Sequence, residues 1–329
     1  MAVRVALFVH GRGRGHASRA RACLPALRAA GLEVSCFVGR EVAGMLDDLG
    51  EVCRIDTCGP GKRLPQRFAA RVREDISRLR HVDPEVVISD GDGPSIHAAL
   101  ALGIPSVAVG HGVLYATCHI EAPLPHLSRA REALNAASST WCATRRVVVH
   151  FAPARPFAPG TSVGRPDLPA ALTGTPSDDG SVLAYFRDDD GYTWLEHLAR
   201  SGERVVLFGN PTRVPAGVTV HRPDPESFAE HLLRCRGVIS SAGNHLPAEC
   251  ALLGKPLLAT FARHDAEHRM NAALIESARI GVAAPVERVV PAAIDRFRAL
   301  GHTSTRRSAI HGMRPASAMV TEAVLELVR

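Results

Sequence analysis

Short apolar runs alternate with amphipathic stretches along the first half of the chain. Residues 3–9 form a brief apolar run that is typical of a buried parallel strand. Residues 17–30 place apolar side chains at helical spacing and end at Gly31, which favours a helix. The same pattern predicts further strands at residues 33–38, 86–89, 105–109 and 146–150, and further helices at residues 42–49, 67–79, 94–102 and 127–137. Strands that alternate with helices pair in parallel, so this half predicts a doubly wound sheet.

The alternation stops in the middle of the chain and then restarts. Residues 152–180 are rich in proline and glycine and have no clear period, which is typical of a linker between domains. Beyond them the pattern predicts strands at residues 181–186, 204–208, 218–221, 237–240 and 256–261, and helices at residues 193–201, 226–234, 246–253, 268–278 and 316–328. We therefore predict an α/β fold with two Rossmann-like domains.

The predicted N-terminal domain is residues 1–155, and the C-terminal domain is residues 181–315. A proline-rich linker, residues 156–180, joins them, and a final helix, residues 316–329, is expected to return to the N-terminal domain. Ligands of doubly wound sheets bind beyond the carboxyl ends of the strands. We therefore expect the domains to face each other across a cleft, with the functional residues in loops that follow strands.

Composition limits the classes of partner. The 329 residues carry a formal net charge of +6, which favours attraction to anions such as phosphates, an acidic acceptor or a membrane surface. No five consecutive residues are Lys or Arg, and only 5% of residues are aromatic, so we expect no nucleic-acid partner. The eight cysteines lack the spacing of metal ligands, and we see neither a signal peptide nor an apolar stretch of ~20 residues. We therefore expect a cytoplasmic protein with reduced thiols and no bound metal.

A glycine-rich loop follows the first predicted strand. It reads His-Gly-Arg-Gly-Arg-Gly-His-Ala-Ser-Arg over residues 10–19 and leads into a helix, whose free N–H groups point into the loop. Gly11, Gly13 and Gly15 allow a tight turn and a close approach of a ligand. A Gly-x-Gly-x-x-Gly dinucleotide motif would need glycine at His16, so that motif is absent.

His16 stands at the predicted start of this helix. It could cap the helix or bond locally, or it could act as a general base, because a helix N-terminus favours the neutral imidazole. A base needs an orienting partner, and Asp90 and Asp92 follow the strand at residues 86–89. Asp92 could instead cap the next helix. His111 follows the next strand and could contact an acceptor or lie in a turn.

A second glycine-containing loop follows the predicted strand at residues 237–240. Gly243, Asn244 and His245 lie where a helix begins, and the loop amides and the helix dipole suit a diphosphate. Glu249 lies about one turn into this helix. A carboxylate there can accept both hydroxyls of a ribose, or it can stabilise the first turns of the helix.

The loop after the strand at residues 256–261 is also polar. It carries Glu267, His268 and Asn271 at or near the start of a predicted helix. These side chains could meet the hydroxyls of a sugar, or they could belong to an ordinary solvated loop and helix start.

Together these segments resemble the GT-B glycosyltransferases. The most similar branch contains the bacterial enzyme that adds N-acetylglucosamine to the lipid-linked cell-wall precursor, and related archaeal and actinobacterial enzymes. The Gly-Arg-Gly-Arg-Gly-His-Ala-Ser-Arg-Ala stretch is similar to the first loop of that branch. The Ser-Ala-Gly…Glu…Gly-Lys-Pro stretch is similar to its donor loop and helix, and Asp-Ala-Glu-His…Asn-Ala at residues 265–272 resembles its acidic-or-Gln, Gln, Asn-Ala motif. The resemblance spans both predicted domains.

The resemblance implies a division of labour between the domains. The N-terminal domain would bind the acceptor, and the C-terminal domain would bind a nucleotide-sugar, with Glu249 on the ribose. His16 would activate the acceptor or help to position the phosphate, and Asp90 is the second catalytic candidate. The other implied donor-binding residues are Gly15, Arg187, Gly243, Asn244, His245, Glu267, His268 and Asn271, and the acceptor-binding candidates are Asp92 and His111. The implied reaction is inverting and uses no metal and no cofactor, because loop and helix N–H groups stabilise the leaving diphosphate.

Two positions depart from the pattern of this branch. His268 stands where the branch usually has glutamine, so the preferred donor sugar is open. Arg187 is followed by three aspartates where the branch often has a Gly/Ser-rich loop. Arg187 could neutralise a phosphate, and adjacent aspartates are more typical of a solvated turn than of a cation site.

We therefore expect an inverting, metal-independent glycosyltransferase that moves a sugar from a UDP- or dTDP-sugar to a hydroxyl of a small molecule, such as a specialised metabolite. Two other functions stay open: a nucleotide-sugar 2-epimerase of the same architecture, and a non-catalytic subunit that binds a nucleotide-sugar. Peripheral membrane contact through Val113, Leu114 and Tyr115 is a further alternative, although the pattern favours a place in the core for these residues.

Overall fold

The computed structural model describes residues 2–59, 61–120, 122, 124, 126–172, 174–186, 189–301 and 309–329. The chain forms two compact units. The first comprises Met1–Ile120, Arg129–Asp167 and Met313–Arg329, and the second comprises Glu121–Ser128 and Leu168–Gly312. Each unit contains its own parallel sheet, which is the architecture that alternating strands and helices produce.

The strands of the two units form separate sheets. Those of the first unit are β1 Arg4–Val9, β2 Glu33–Gly39, β3 Val52–Ile55, β4 Val86–Asp90, β5 Ser106–Gly110, β6 Cys118–His119, β7 Arg145–Val149, β8 Arg155–Pro156 and β9 Thr161–Gly164. Those of the second unit are β10 Ser181–Tyr185, β11 Arg204–Phe208, β12 Val218–His221, β13 Gly237–Ser241, β14 Leu257–Phe261 and β15 Gly281–Pro285. The sheet orders are β3-β2-β1-β4-β5-β7-β9 and β12-β11-β10-β13-β14-β15, while β6 and β8 form a small antiparallel pair.

Helices connect most of these strands. They are α1 Arg14–Ala29, α2 Arg40–Ala43, α3 Leu64–Val82, α4 Gly93–Leu102, α5 Val113–Thr117, α6 His126–Thr140, α7 Tyr192–Arg200, α8 Pro225–Arg234, α9 His245–Leu253, α10 Ala266–Ser277, α11 Pro291–Ala299 and α12 Ala316–Leu327. Short 3₁₀ turns lie at Asp47–Leu49, Ala170–Leu172, Asp189–Gly191 and Ala309–Gly312.

The side chains of β1 alternate between two apolar layers. Val5, Leu7 and Val9 pack in the cluster that contains residues of α1 and α12. Ala6 and Phe8 lie in a separate cluster with residues of α3 and α4. Successive side chains of a strand point to opposite faces, and both faces of this strand are covered, which explains its unbroken apolar run.

The predicted fold class is confirmed: the chain has two Rossmann-like halves, and its last helix returns to the first. Helix α12 packs with α1 in one apolar cluster. A polar joint fixes its start, because Ser317 N donates to Asp167 Oδ2 at 3.0 Å and Ala316 N donates to the carbonyl of Arg165 at 2.8 Å. These bonds tie the end of the chain to the segment that follows β9.

The structure differs from the sequence-based elements in several places. The stretch predicted as a linker contains β9, which pairs in parallel with β7 in the first sheet. The helix predicted at residues 42–49 divides into α2 and a 3₁₀ turn, since α2 ends at Gly44. The pattern did not predict β3, β6, β8, β9, β15, α5 and α11. Strands β6 and β8 have two residues each, and β3, β9 and β15 have only four or five and are partly exposed, so their apolar patterns are weak.

Within the described ranges, none of the helices combines the length and the apolar character needed to cross a membrane.

Candidate functional site

The loop after β1 carries His16 to the carboxyl ends of the central strands of the first sheet. Gly13 adopts a φ of 98°, a conformation that favours glycine, and α1 begins at the next residue. His16 therefore lies in the first turn of α1. His10 N donates to the carbonyl of Asp90 at 3.0 Å, which joins the ends of β1 and β4.

His16, Asp90 and Arg19 form a compact polar triad at this edge. His16 Nδ1 lies 2.6 Å from Asp90 Oδ1. Arg19 holds the same carboxylate at two points, because its Nε donates to Oδ2 at 2.8 Å and its Nη2 donates to Oδ1 at 2.6 Å. Asp90 and Arg19 are buried, whereas the His16 side chain is 23% exposed. The imidazole is thus the member of the triad that solvent and a ligand can reach.

The contact with Asp90 indicates which ring nitrogen of His16 carries the proton. Two lone pairs 2.6 Å apart would repel, so we infer that Nδ1 carries a hydrogen and donates to Oδ1. Arg19 Nη2 can only donate, and it bonds to the same oxygen. The 2.9 Å between Nη2 and Nδ1 follows from two donors that share one acceptor. Nε2 of neutral His16 is then left with a lone pair that can accept a proton.

Charges within this group set its protonation states. Burial raises the pKa of the Asp90 carboxyl, but Arg19 and His16 outweigh that effect and hold the pKa well below its usual range. The ring of His10 lies 5.3 Å from that of His16. Burial, and then repulsion from His16, lowers the pKa of His10 to about 4, so His10 is neutral at pH 7. Asp90 is therefore the fixed anion beside His16, and Arg19 is the fixed cation.

Gly91 leaves room for the imidazole. Its φ is 71°, and a Cβ built on it would lie 2.6 Å from His16 Cε1. A real Cβ does not approach another heavy atom so closely, so any side chain at residue 91 would displace the ring. Glycine is therefore required at residue 91 for two reasons: the backbone is left-handed there, and a side chain would occupy the space of the His16 ring.

The two acceptor-binding candidates lie inside the first unit. Asp92 is 1% exposed, accepts from Ser95 N at 3.2 Å as the N-cap of α4, and is paired with Arg71 at 3.2 Å. His111 is 7% exposed, and its Nε2 lies 3.3 Å from the hydroxyl of Tyr115. The structure therefore favours the capping interpretation for Asp92 and a packed environment for His111.

The apolar residues after β5, for which the pattern favours a place in the core over membrane contact, are buried. Val113, Leu114 and Tyr115 are each no more than 3% exposed, so they form core. Large apolar side chains are instead exposed on or just after α6, at Leu127, Leu134 and Trp141. None of these three residues belongs to a segment that the sequence analysis assigns to a ligand.

In the second unit, the loop between β13 and α9 is held by its own backbone and by Asn271. Ala242 N donates to the carbonyl of Thr260 at 2.8 Å. Asn271 is fully buried on α10, and its Nδ2 donates to the carbonyl of Ala242 at 3.0 Å. Asn271, predicted as a donor contact, is placed beneath the loop, where it fixes the loop's shape.

Beyond that anchor the loop is open. A Cβ on Gly243 would meet no heavy atom within 4 Å, so space lies next to its backbone. Asn244 is the N-cap of α9, and its side chain makes no capping hydrogen bond, whereas the N-caps of α4, α8 and α10 are aspartates that do. Helix α9, which begins at His245, therefore differs from those three helices in the side chain at its N-cap.

Glu249 lies in the second turn of α9 and is half-buried. Its carboxylate makes no hydrogen bond and no ion pair with any residue in the described part of the chain. Burial raises its pKa to about 7. The carboxylate can accept hydrogen bonds, and no side chain among the described residues of its own unit supplies them.

Two of the remaining donor candidates, Glu267 and His268, lie near the start of α10. Asp265 caps α10, accepting from His268 N at 3.0 Å, and its other oxygen lies 3.3 Å from His268 Nδ1. Glu267 is exposed. Gly15 lies half-buried in the first turn of α1. Arg187, with the start of its aspartate-rich turn, lies outside the described residues.

Sequence reasoning missed the role of two residues. Arg19 follows His16 by three positions and so shares its helix face, a signal that was available. Lys255 enters the sequence analysis only as the lysine of the Gly-Lys-Pro stretch. It is fully buried, and its Nζ donates to the carbonyls of Ser177, Leu233 and Cys235 at 2.6, 2.8 and 2.7 Å. A lone lysine between Gly254 and an apolar strand was the only signal for it.

Comparisons with known proteins agree with this architecture. The structure of Acinetobacter baumannii MurG is 16% identical, with a TM-score of 0.69 over 98% of this chain and 99% of that one. SnogD from Streptomyces nogalater is 19% identical, with a TM-score of 0.65 over 99% and 100%. SsfS6 of Streptomyces sp. SF2575, complexed with thymidine diphosphate, is 17% identical, with a TM-score of 0.63 over 98% and 99%. At these identities the likeness shows a shared fold, that of GT-B glycosyltransferases.

No curated protein sequence matches the chain significantly. The sequence profile of glycosyl transferase family 1, however, matches residues 65–300, which is more than two thirds of the chain and includes parts of both units. The chain is therefore an enzyme, a GT-B glycosyltransferase that belongs to glycosyl transferase family 1.

Proposed function

We propose that the enzyme transfers a sugar, with inversion at the anomeric carbon, from a UDP- or dTDP-sugar to a hydroxyl of a small-molecule acceptor. The observation that carries this proposal is the 2.6 Å contact between His16 Nδ1 and Asp90 Oδ1. A buried, ionised carboxylate orients the ring, and the partly exposed ring keeps Nε2 for the substrate. This is the arrangement of a general base with its orienting partner.

In the proposed reaction, Nε2 of His16 takes the proton of the acceptor hydroxyl. The acceptor oxygen forms a bond to the anomeric carbon while the bond from that carbon to the diphosphate oxygen breaks. The electron pair of the broken bond leaves with the nucleoside diphosphate. Asp90 stabilises the imidazolium that forms, as carboxylates do in comparable catalytic groups.

The second unit is the proposed donor-binding half. The open backbone at Gly243 and the amides at the start of α9 suit a diphosphate, and Glu249 offers an unused acceptor for the ribose hydroxyls. SsfS6, whose fold this chain shares, was solved with thymidine diphosphate. Glu267 and His268 would lie near the donor sugar, and the amides of the loop would stabilise the leaving diphosphate without a divalent metal ion.

We also propose that the reaction takes place in the cytoplasm. All eight cysteines of the sequence are free thiols. Thiols persist in a reducing compartment, and nucleotide-sugars are the substrates that the proposed donor site needs there.

The first test is nucleotide binding by the full chain. A thermal-shift screen of UDP, dTDP, GDP and ADP should raise the Tm with UDP or dTDP, because a ligand that binds the folded state stabilises it. No shift with any of the four nucleotides would overturn the donor assignment.

The second test is the role of His16. With UDP-glucose or dTDP-glucose and a panel of hydroxyl acceptors, His16→Ala should lower transfer by roughly 10²-fold or more while the nucleotide-induced Tm shift persists. His81→Ala, at an exposed histidine of α3, is the matched control and should leave both unchanged. Transfer that survives His16→Ala would refute the base. A wild-type protein that binds nucleotide without turnover would be a binding subunit, and a 2-epimer seen by NMR would indicate an epimerase.

A further inference from the structure

Arg19 places a permanent positive charge against the pair formed by His16 and Asp90. It lies one helical turn after His16, and its side chain is only 6% exposed. Its guanidinium donates to both oxygens of Asp90, and Nη2 lies 2.9 Å from His16 Nδ1. A bidentate ion pair of this kind fixes both the position and the ionised state of the carboxylate.

The charges that face His16 come from three elements. Arg19 lies on α1 with His16, Asp90 ends β4, and His10 lies in the loop after β1. His10 is neutral at pH 7, and the nearby carboxylates of Asp92 and Glu41 act on His10. His16 therefore has one fixed anion and one fixed cation at hydrogen-bond distance.

These two charges have opposite effects on His16. A carboxylate alone stabilises an imidazolium, so a histidine beside it holds its proton to higher pH. A guanidinium alone has the opposite effect. Since Arg19 touches the same carboxylate oxygen as His16, it offsets much of the attraction that Asp90 exerts on the imidazolium.

We propose that Arg19 is a positioning residue that sets the pH range over which His16 can act as a base, because its charge opposes that of Asp90 beside the ring. The inference rests on the proposed role of His16 as the base. Arg19 itself touches neither donor nor acceptor in this proposal. It acts through Asp90 and through its charge.

The sign of the effect of a substitution follows directly. In Arg19→Met the charge of Asp90 acts on His16 unopposed, so His16 takes up a proton at higher pH. In Asp90→Asn the cation remains, so His16 takes up a proton at lower pH. In the double variant Arg19→Met/Asp90→Asn neither charge remains, and the protonation of His16 should return close to that of the wild type.

The experiment titrates His16 directly in the full chain, without substrate. Protein labelled with [¹³Cε1]histidine is followed by NMR from pH 5 to 9, and the His16 signal is assigned by its loss in His16→Ala. The midpoint should rise by about one pH unit in Arg19→Met. The rate of nucleoside diphosphate release from UDP-glucose or dTDP-glucose is then measured at pH 6 and at pH 8.5. The ratio of the first rate to the second should be about tenfold lower in Arg19→Met than in the wild type.

Arg19→Met leaves a buried carboxylate without its main partner and can fail to fold. In that case the double variant Arg19→Met/Asp90→Asn provides the test, because it buries no unpaired charge. Its midpoint should stay within about 0.3 pH units of the wild type. A fall of about one unit would mean that Arg19 does not offset Asp90, and an unchanged midpoint in folded Arg19→Met would mean the same.

These outcomes are separate from those that test the proposed function. If His16→Ala retains full sugar transfer, the base assignment fails even where the NMR midpoints move as expected. If His16→Ala loses transfer but substitution of Arg19 leaves the titration midpoint of His16 unchanged, His16 remains the base and the proposed role of Arg19 is refuted.

Discussion

The side-chain amide of Asn271 donates a hydrogen bond of 3.0 Å to the carbonyl of Ala242, which joins the middle of α10 to the loop between β13 and α9. Asn271 is fully buried, so it holds the loop from below. The loop and the first turn of α9 are the proposed diphosphate site. The shape of that site thus depends on a residue that the ligand need not touch.

Asn271→Leu should therefore weaken nucleotide binding through the loop. The substitution leaves the carbonyl of Ala242 without its donor, which costs about 1–3 kcal/mol when the group is buried. We expect a lower urea midpoint and a smaller UDP- or dTDP-induced Tm shift. Asn135→Leu, at an exposed asparagine of α6, is the control and should change neither. A normal nucleotide shift in Asn271→Leu would show that the loop keeps its shape without this bond.

Lys255 is predicted to be a stability residue with no direct part in transfer. Its ammonium satisfies three buried carbonyls, those of Ser177, Leu233 and Cys235. Lys255→Met keeps the apolar stem but removes all three donors, so we expect a loss of roughly 3 kcal/mol or more in the free energy of unfolding. The other lysine of the chain, the exposed Lys62, provides the control Lys62→Met, which should lie within about 0.5 kcal/mol of the wild type. Equal stability of the two variants would contradict the prediction.

The sequence predicted the fold and the loops that carry the site, but not which side chains face a ligand. Asp90 and Asp92 both follow the same strand, so both were candidates for the orienting partner of His16, and only for Asp92 was a capping role the alternative. The structure separates them: Asp90 is the last residue of β4 and meets His16, whereas Asp92 lies in the N-cap of α4. The chain leaves the strand between these two residues, at Gly91, where φ is 71°. The periodicity of a strand does not determine where side chains point beyond its end.

Long-range contacts were the second limit of the sequence. Asn271 matches a donor motif, and only its partner 29 residues away shows that it supports the loop. Lys255 bonds to Ser177, which lies 78 residues earlier in the chain. Strands β9 and β15 are short edge strands whose weak patterns become informative only when a neighbouring strand is known.

Glu249 should make donor binding depend on pH around neutrality. Burial raises the pKa of its carboxyl to about 7 in the free enzyme, and ribose hydroxyls donate to the ionised form. Affinity for UDP or dTDP should therefore rise from pH 6 to pH 8, and at pH 6 it should be about tenfold below its plateau. Isothermal titration calorimetry in buffers of different ionisation enthalpy should also detect a released proton near pH 7.

Glu249→Gln is the matched variant for this prediction, because it keeps the size of the side chain and cannot titrate. Its nucleotide affinity should be lower than that of the wild type at pH 8 and should change less than that of the wild type between pH 6 and 8. The raised pKa also implies that stability falls as the pH rises from about 4.5 to about 7, because the folded state holds the proton more tightly than the unfolded state. A wild-type affinity that is flat across this range would rule out Glu249 as the ribose ligand.

Gly91 and Gly103 offer a matched pair that isolates the position of His16. Their φ values are 71° and 70°, so alanine costs a similar backbone strain of about 1 kcal/mol at either residue. A Cβ at Gly103 would meet nothing within 4 Å, whereas a Cβ at Gly91 would lie 2.6 Å from His16 Cε1.

Gly103→Ala should therefore lose a little stability and keep its transfer activity. Gly91→Ala should displace the imidazole from Asp90 and lower kcat by about 10²-fold, with the nucleotide-induced Tm shift retained. The decisive measurement is kcat in the two variants at equal folded fraction: equal values would mean that the contact between His16 and Asp90 does not control transfer.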